Sequence, residues 1–292
     1  VQGKDCRHLP DKHDTKIGFL GPRGTYTQEA LLKLLLVSDE DIVPYPTEAD
    51  VIRAVERGEV DKGMVAIENS IEGSVNATLD VLAFEASLVI EREIIIPINH
   101  SLMAKPGVKL EDITTVLSHP QAIAQCRRYL SEKLPQANLE LAGSNAAAAQ
   151  LVAEQGGTLA AIGPRLAAQI YGLNVLDIGI EDFEDNQTRF VLVGKEPAAK
   201  TGHDKTSIVC FIYEDRPGSL LLILQEFAYR YINLTKIQSR PTKKALGDYC
   251  FFIDFEGHMD DEIIASTLKC LKCKVREVKV LGSYPMANGV TS

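Results

Sequence analysis

A chain of 292 residues with 45% hydrophobic and 24% charged content is an ordinary globular composition, long enough for two domains and a sizeable core. Its 40 acidic against 31 basic residues give a net charge of −9, which argues against a nucleic-acid partner, since that needs a basic face. No apolar run reaches the length of a membrane span, residues 1–16 are polar with no apolar signal core, and six scattered cysteines form no disulfide framework, so a reducing cytoplasm is the expected compartment.

From residue 16 to 180, apolar runs of strand length alternate with helical patterns, which implies an α/β domain with largely parallel strands. Residues 16–20 read as a first strand. Gly21-Pro22-Arg23-Gly24-Thr25 turns it into a helix over 26–37, with Ala30, Leu31, Leu34 and Leu35 on one face. Such a turn is either a tight connection or an anion site made of free backbone N–H groups. Its spacing matches neither the dinucleotide nor the nucleoside-triphosphate fingerprint. A strand over 42–45, a helix capped by Thr47 and a strand over 62–67 follow. The last ends in Glu68-Asn69-Ser70-Ile71-Glu72-Gly73-Ser74, before a helix over 75–84. Amide, hydroxyl and carboxylate groups beyond the C-terminal end of a strand lie where open α/β sheets bind ligands. The alternative is a capping loop in which Asn69 and Ser74 satisfy backbone groups.

The extended run 88–104, with Pro97, Asn99 and His100, reads as a crossing to a second lobe. There a strand over 113–117 leads into Ser118-His119-Pro120-Gln121, which opens a helix over 121–130 with Pro120 in its first turn. His119 has no evident carboxylate partner and reads as a capping or core histidine sooner than as a general base. A strand over 138–142, a helix capped by Ser144, a strand over 159–162 and a helix over 164–171 follow, and 175–180 leads back to the first lobe. An acidic loop (Glu181, Asp182, Glu184, Asp185) then runs into Asn186-Gln187-Thr188-Arg189-Phe190 and an apolar strand. A hydroxyl, a guanidinium and a ring are thereby presented at the mouth of that strand. Residues 196–205 read as a linker. Beyond it the pattern is βαββαβ over 206–285, the ferredoxin-like order, in a unit large enough to stand as its own domain. Cys270 and Cys273 lie inside a predicted helix and cannot alone supply four zinc ligands, so no metal site is expected.

Four of these loops, in order, resemble the prephenate dehydratase family: 21–27 (Gly-Pro-Arg-Gly-Thr-Tyr-Thr), 68–75 (Glu-Asn-Ser-Ile-Glu-Gly-Ser-Val), 118–121 with Gln125, and 186–190. The C-terminal part resembles the amino-acid-sensing ACT domain through 216–220 (Arg-Pro-Gly-Ser-Leu) and 233–241 (Asn-Leu-Thr-Lys-Ile-Gln-Ser-Arg-Pro). The resemblance covers nearly the whole chain. After the polar extension over 1–15, it implies a catalytic domain over 16–195, two-lobed like type 2 periplasmic binding proteins. Lobe 1 would comprise about 16–100 plus 175–195, and lobe 2 about 101–174. A linker over 196–205 and an ACT domain over 206–285 complete the expected order.

Carried over residue by residue, the resemblance implies that Thr188 is the principal catalytic residue, with Asn69, Ser118 and Gln125 beside it. Thr25, Ser70, Arg189 and Phe190 are the substrate-binding candidates. Gly218, Ser219, Leu220, Asn233, Leu234, Gln238, Ser239 and Arg240 are the effector-binding candidates, for L-phenylalanine. Homodimers or homotetramers are implied. The family usually has Glu where Gln238 stands and Ala where Ser219 stands, departures that bear on regulation and not on catalysis. Prephenate is a dianion, and its loss of carbon dioxide and water is driven by aromatisation; the obstacle is that hydroxide leaves poorly. The site therefore needs a hydrogen-bond donor at that oxygen and a fit to the flattening ring, but no metal or redox cofactor. The rivals are arogenate dehydratase, which performs the same elimination on the amino side chain, and a non-enzymatic two-lobed binding protein.

Overall fold

The computed structural model describes residues 15–243, 248–287 and 289, so nearly all of the expected 1–15 extension lies outside the described residues. The first sheet is built from β1 (Ile17–Leu20), α1 (Tyr26–Leu34), β2 (Ile42–Tyr45), α2 (Glu48–Arg57), β3 (Lys62–Asn69), β4 (Gly73–Ser74), α3 (Asn76–Phe84) and β5 (Val89–Pro97). Two of its helices begin where the sequence offers a cap: Thr25 accepts from Gln28 N and Thr47 from Asp50 N, and Gly58 ends α2 in the left-handed region. The second sheet takes β6 (Ser101–Ala104), β7 (Thr115–Ser118), α4 (Pro120–Gln125), α5 (Arg127–Lys133), β8 (Asn138–Leu141), α6 (Asn145–Gln155), β9 (Leu159–Gly163), α7 (Arg165–Tyr171) and β10 (Asn174–Ile178). The chain then re-enters the first sheet as β11 (Gln187–Gly194).

The first sheet runs β2-β1-β3-β11-β5, with β4 paired to β3, and the second runs β10-β6-β9-β7-β8. Neither is largely parallel, contrary to the alternation argument. The strand β11 comes back from the second sheet and inserts between β3 and β5, antiparallel to both. In the second sheet, β6 is antiparallel to β9 and to β10. The expected lobe boundary at 175 also moves: β10 pairs with β6, so the return comes only after Ile178. The helix expected over 121–130 breaks at Cys126, where Asp182 accepts from Arg128 N and donates its own backbone N–H to Gln125 O.

The remaining chain forms β12 (Asp204–Phe211), α8 (Ser219–Ala228), β13 (Leu234–Pro241), β14 (Tyr249–Glu256), α9 (Glu262–Lys274) and β15 (Glu277–Pro285). These give an antiparallel sheet in the order β13-β14-β12-β15 with both helices packed on one face. Its other face does not stand apart, as a free-standing unit would. Val209, Phe211, Cys250, Phe252, Leu281 and Tyr284 share one core with Val51, Leu79, Leu82 and Ile90 of the first sheet. Gly282 marks the closest approach: a Cβ there would lie 2.4 Å from Ile90 O, and its φ of 148° is one a side chain rarely adopts. Lys279 Nζ donates to Leu82 O, Ala83 O and Ala86 O, meeting the last carbonyls of α3 with a cation. No helix among the described residues is long and apolar enough to cross a membrane.

Candidate active site

A cavity of about 440 Å³ lies between the first two sheets. One wall is β3, β11 and the starts of α1 and α2; the other is the starts of α4 and α6. The antiparallel register sets Thr188 opposite Asn69 on one side and Ile96 on the other. Residues i and i+2 share a face of a strand, so Thr188 and Phe190 both face the cavity. Phe190 is 2% exposed and gives that wall an apolar surface, with Leu20, Ala66, Val75 and Ile98 around it.

The polar groups form one chain of amides whose orientations follow from its anchored end. Asn69 Oδ1 accepts from Ile71 N and Glu72 N, both at 3.0 Å. Its Nδ2 must then face the other way, where it donates to Thr188 Oγ1 and to Asn186 Oδ1, both at 2.8 Å. Asn186 Nδ2 in turn donates to Gln125 Oε1 at 3.0 Å. Gln125 Nε2 is left at the free end, buried without a partner among the described residues. The chain thus presents two donors: an amide N–H of Gln125, and the hydroxyl of Thr188, whose lone pair is already engaged by Asn69. A buried donor without a partner costs about 1–3 kcal/mol, which a ligand oxygen offsets.

His100 joins this chain from the loop between β5 and β6. Burial lowers its pKa, partly offset by a hydrogen bond to Gln125, so the ring is neutral. Its Nε2 lies 3.3 Å from Gln125 Oε1 and its Nδ1 2.9 Å from the Tyr26 hydroxyl, which donates to Asn99 O at 2.8 Å. Burial also raises the Tyr26 pKa, which keeps that phenol a donor.

Thr25 lines the cavity as the N-cap of α1, its hydroxyl donating to Leu20 O. Gly24 before it has φ +87°, and a Cβ there would stand 2.9 Å from the Ala167 backbone of α7, so the turn brings the two sheets' helices into near contact. Ser144, Asn145 and Ala146 line the facing wall at the start of α6, and Ser144 Oγ caps it by accepting from Ala147 N. His119 also lines the cavity and caps α4 by accepting from Gln121 N, the capping role expected for it.

Three expected site residues stand elsewhere. Ser118 is fully buried, with its hydroxyl 2.7 Å from Ile162 O and 3.1 Å from Asn145 Oδ1; it positions Asn145 and does not line the cavity. Ser70 faces away and binds the backbone of the 185–187 segment, accepting from Gln187 N at 2.9 Å. Arg189 points to the opposite face of β11, as strand alternation allows. Its guanidinium lies 2.6 Å from Asp254, 3.1 Å from Glu68 and 3.3 Å from Glu93. Burial works against its charge, but Asp254, Tyr284, Glu93 and Glu68 outweigh it and push the pKa up. This arginine ties β11 to β14 of the third sheet and does not line the cavity. Among the described residues, no Lys or Arg lines the cavity.

Among the effector candidates, Gly218 caps α8 with φ 89°, and Ser219 accepts from Arg216 N. Leu220 and Leu234 pack against the core of the third sheet, and Ser239 is exposed. Asn233 donates to Glu256. Gln238 and Arg240 turn toward the first sheet instead: Gln238 Nε2 lies 3.4 Å from Asn76 Oδ1, and Arg240 binds Asp80 at 2.6 Å, both on α3. The hollow beside Ser219 is lined by Ile212, Tyr213, Glu214, Arg216, Leu222, Lys274 and Val275, with no residue of β13.

Nothing local in the sequence marks Glu48, Asn145 or His100 as a site residue, and Asn186 stands in the 186–190 motif beside the more conspicuous Thr188. Glu48 reads from sequence as an ordinary acid in the first turn of a helix. In the structure it lines the cavity at 7% exposure, and its Oε1 accepts from Ala66 N at 3.2 Å. Burial pushes its carboxyl from 4.5 up to about 8, the Ala66 N–H partly offsetting this. That shift is of order 5 kcal/mol. The positive end of α2 favours the carboxylate by only about 0.3–1 kcal/mol. Burial therefore wins, and the carboxyl keeps its proton at neutral pH.

Mixed α/β sheets enclosing a cavity with oriented neutral donors and an apolar wall suit a small molecule that is part apolar and accepts hydrogen bonds. The comparisons narrow the class. The family model described as prephenate dehydratase matches residues 17–198. A prephenate dehydratase of Mycobacterium sp. (strain JLS) is 43% identical over 282 residues, covering 92% of this chain and 89% of that one. The structure of the Arthrobacter aurescens prephenate dehydratase in complex with L-Phe is 41% identical with a TM-score of 0.86, covering 95% of this chain and 92% of that one. GqqA, described as a novel type of quorum quenching acylase, is 29% identical with a TM-score of 0.81 over 93% of this chain and 98% of its own. The chain belongs to the prephenate dehydratase family, whose members are lyases.

Proposed function

We propose that the chain converts prephenate to phenylpyruvate, carbon dioxide and water, with Thr188 as the donor to the departing hydroxyl. The observation that carries this is the Asn69–Thr188 hydrogen bond: with one lone pair engaged by Asn69 Nδ2, the hydroxyl proton is left for the cavity. The ring C–CO₂⁻ bond breaks, its electron pair enters the ring, and the C–OH bond on the opposite carbon breaks as the ring becomes aromatic. Hydroxide accepts the Thr188 hydrogen bond as its charge develops, which lowers the barrier, and is protonated by solvent to leave as water, while Thr188 keeps its own proton. Phe190 and the apolar groups around it fit the flattening ring. With Arg189 facing elsewhere, the substrate carboxylates are met by the N-termini of α1 and α6 and by Gln125 Nε2.

The catalytic part is read as two lobes, one on each of the first two sheets, and the third sheet as an ACT domain that binds L-phenylalanine. The relative solved with L-Phe supports an effector role, and the βαββαβ order supports the domain. Effector contacts come from the Gly218–Leu220 turn of one copy and the Asn233–Ser239 edge of another, since the hollow beside Ser219 is not completed by β13 of the same chain. Exposed Leu221, Leu222, Tyr231 and Ile237 favour such pairing in a dimer or tetramer. The signal reaches the cavity through β13, whose Lys236, Gln238 and Arg240 touch Glu68, Asn76 and Asp80 on either side of the Gly73–Ser74 hairpin. The test is product formation from prephenate and arogenate in parallel, with and without phenylalanine. Phenylpyruvate from prephenate, altered in rate by phenylalanine, is expected. No turnover of either substrate would refute the enzyme reading.

A further inference from the structure

The cavity proposed to take a dianion contains a buried acid and, among the described residues, no Lys or Arg to pair with it. Glu48 lines that cavity, and its Oε2 has no hydrogen-bond partner among the described residues. Its Oε1 accepts from Ala66 N, which anchors the carboxyl at one end and leaves Oε2 as the open one. Ala66 pairs with Phe190 across β3 and β11, and Thr188 lies two residues further along the same face. The carboxyl therefore sits over the wall that carries the proposed catalytic hydroxyl.

We propose that Glu48 is a substrate-binding residue that acts as a neutral acid: its Oε2–H donates to a carboxylate of the bound substrate. The inference rests on the dehydratase reading and adds to it a device that ties affinity to protonation. An O–H···O⁻ hydrogen bond in a water-poor cavity is short and strong, and it supplies the partner that Oε2 lacks. The same group without its proton places a negative charge beside a dianion. Glu48 thus admits the anionic substrate only while protonated. Binding of the anion favours the acid form further, so substrate and proton enter together.

The other titratable groups facing the cavity are Tyr26 from α1, Glu72 from the hairpin, His100 from the loop after β5 and His119 from the start of α4. On α2 itself, Asp50 is bound by the Thr47 hydroxyl at the cap. A Glu48→Gln change leaves all of these in place, keeps a donor at the same position and removes only the titration.

Measure kcat and KM for prephenate from pH 6 to 9.5 in wild type and Glu48→Gln. Above about pH 8, the wild-type kcat/KM should fall roughly tenfold per pH unit, through KM with kcat nearly unchanged. The Gln variant should keep a flat KM over that range, so that the alkaline limb disappears whatever its KM at pH 7. An alkaline limb identical in both proteins, no limb in wild type, or a Gln variant that loses kcat at unchanged KM would each overturn the proposal. Should the variant fail to fold, phenylpyruvate binding to wild type by calorimetry at pH 9, in two buffers of different ionisation heat, decides the matter. Uptake approaching one proton per site supports the proposal, and no uptake overturns it. Absence of prephenate turnover by wild type at pH 7 would count against the dehydratase reading instead.

Discussion

Replacing Arg189 by Met separates a strut from a substrate ligand. Arg189, Lys205 and Lys236 face Glu68, Glu93 and Asp254 between the first and third sheets, three cations against three carboxylates. Met keeps much of the apolar volume and leaves two cations. Asp254 then loses its partner at 2.6 Å, at a side-chain exposure of 7%, while Glu93 retains Lys205 at 2.8 Å. A pair 4 Å apart at an effective dielectric of 20 is worth about 4 kcal/mol. Breaking a buried pair from one side typically costs about 3–5 kcal/mol. The expected outcome is a loss of about that size in urea unfolding and a fall in Tm on the order of 10 °C. KM for prephenate, measured where the variant is still folded, should stay within about threefold of wild type. A variant of near-normal stability whose KM rises tenfold or more would refute the reasoning and return Arg189 to the substrate.

Asn69→Ala frees the Thr188 hydroxyl to rotate and should lower kcat about 10²-fold. Asn69→Asp should be as damaging despite its near-identical volume, because Oδ2 would face the Thr188 and Asn186 oxygens where Nδ2 now donates; steady-state kinetics checks both. Glu48 makes stability pH-dependent with a definite sign. Between pH 4.5 and about 8 the native state holds a proton that the unfolded chain releases. Its contribution is therefore complete below 4.5 and lost as pH rises through 8, so urea midpoints should fall across that window with a shallower slope in Glu48→Gln. Arg240→Ala breaks the tie to Asp80 and should weaken the response to phenylalanine while leaving kcat without effector within about twofold, read from inhibition or activation curves.

Much of the fold was legible because its elements are locally encoded. Thr25, Thr47 and Ser144 announce helix starts, and the apolar runs at 17–20, 62–67 and 190–193 announce strands. What sequence could not show depends on partners far along the chain. Period-two alternation says that Thr188 and Arg189 face opposite ways, yet the direction of Arg189 is set by Asp254, 65 residues on. Ser118 was a site candidate through the family resemblance; its burial against Ile162, 44 residues away, turns it into a support for Asn145. The segment 175–178 looked like a return path because nothing local reveals its antiparallel pairing with β6. Glu48 was illegible for the same reason: an acid in a helix's first turn is common, and only packing against β3 makes it buried.

The most direct test of the central claim is phenylpyruvate formation from prephenate by wild type and Thr188→Val, a change that keeps the shape and removes the hydroxyl. The account predicts a kcat lower by about 10²–10³-fold with KM little changed, in a variant as stable as wild type to within about 1–2 kcal/mol. Near-normal kcat in Thr188→Val would contradict it.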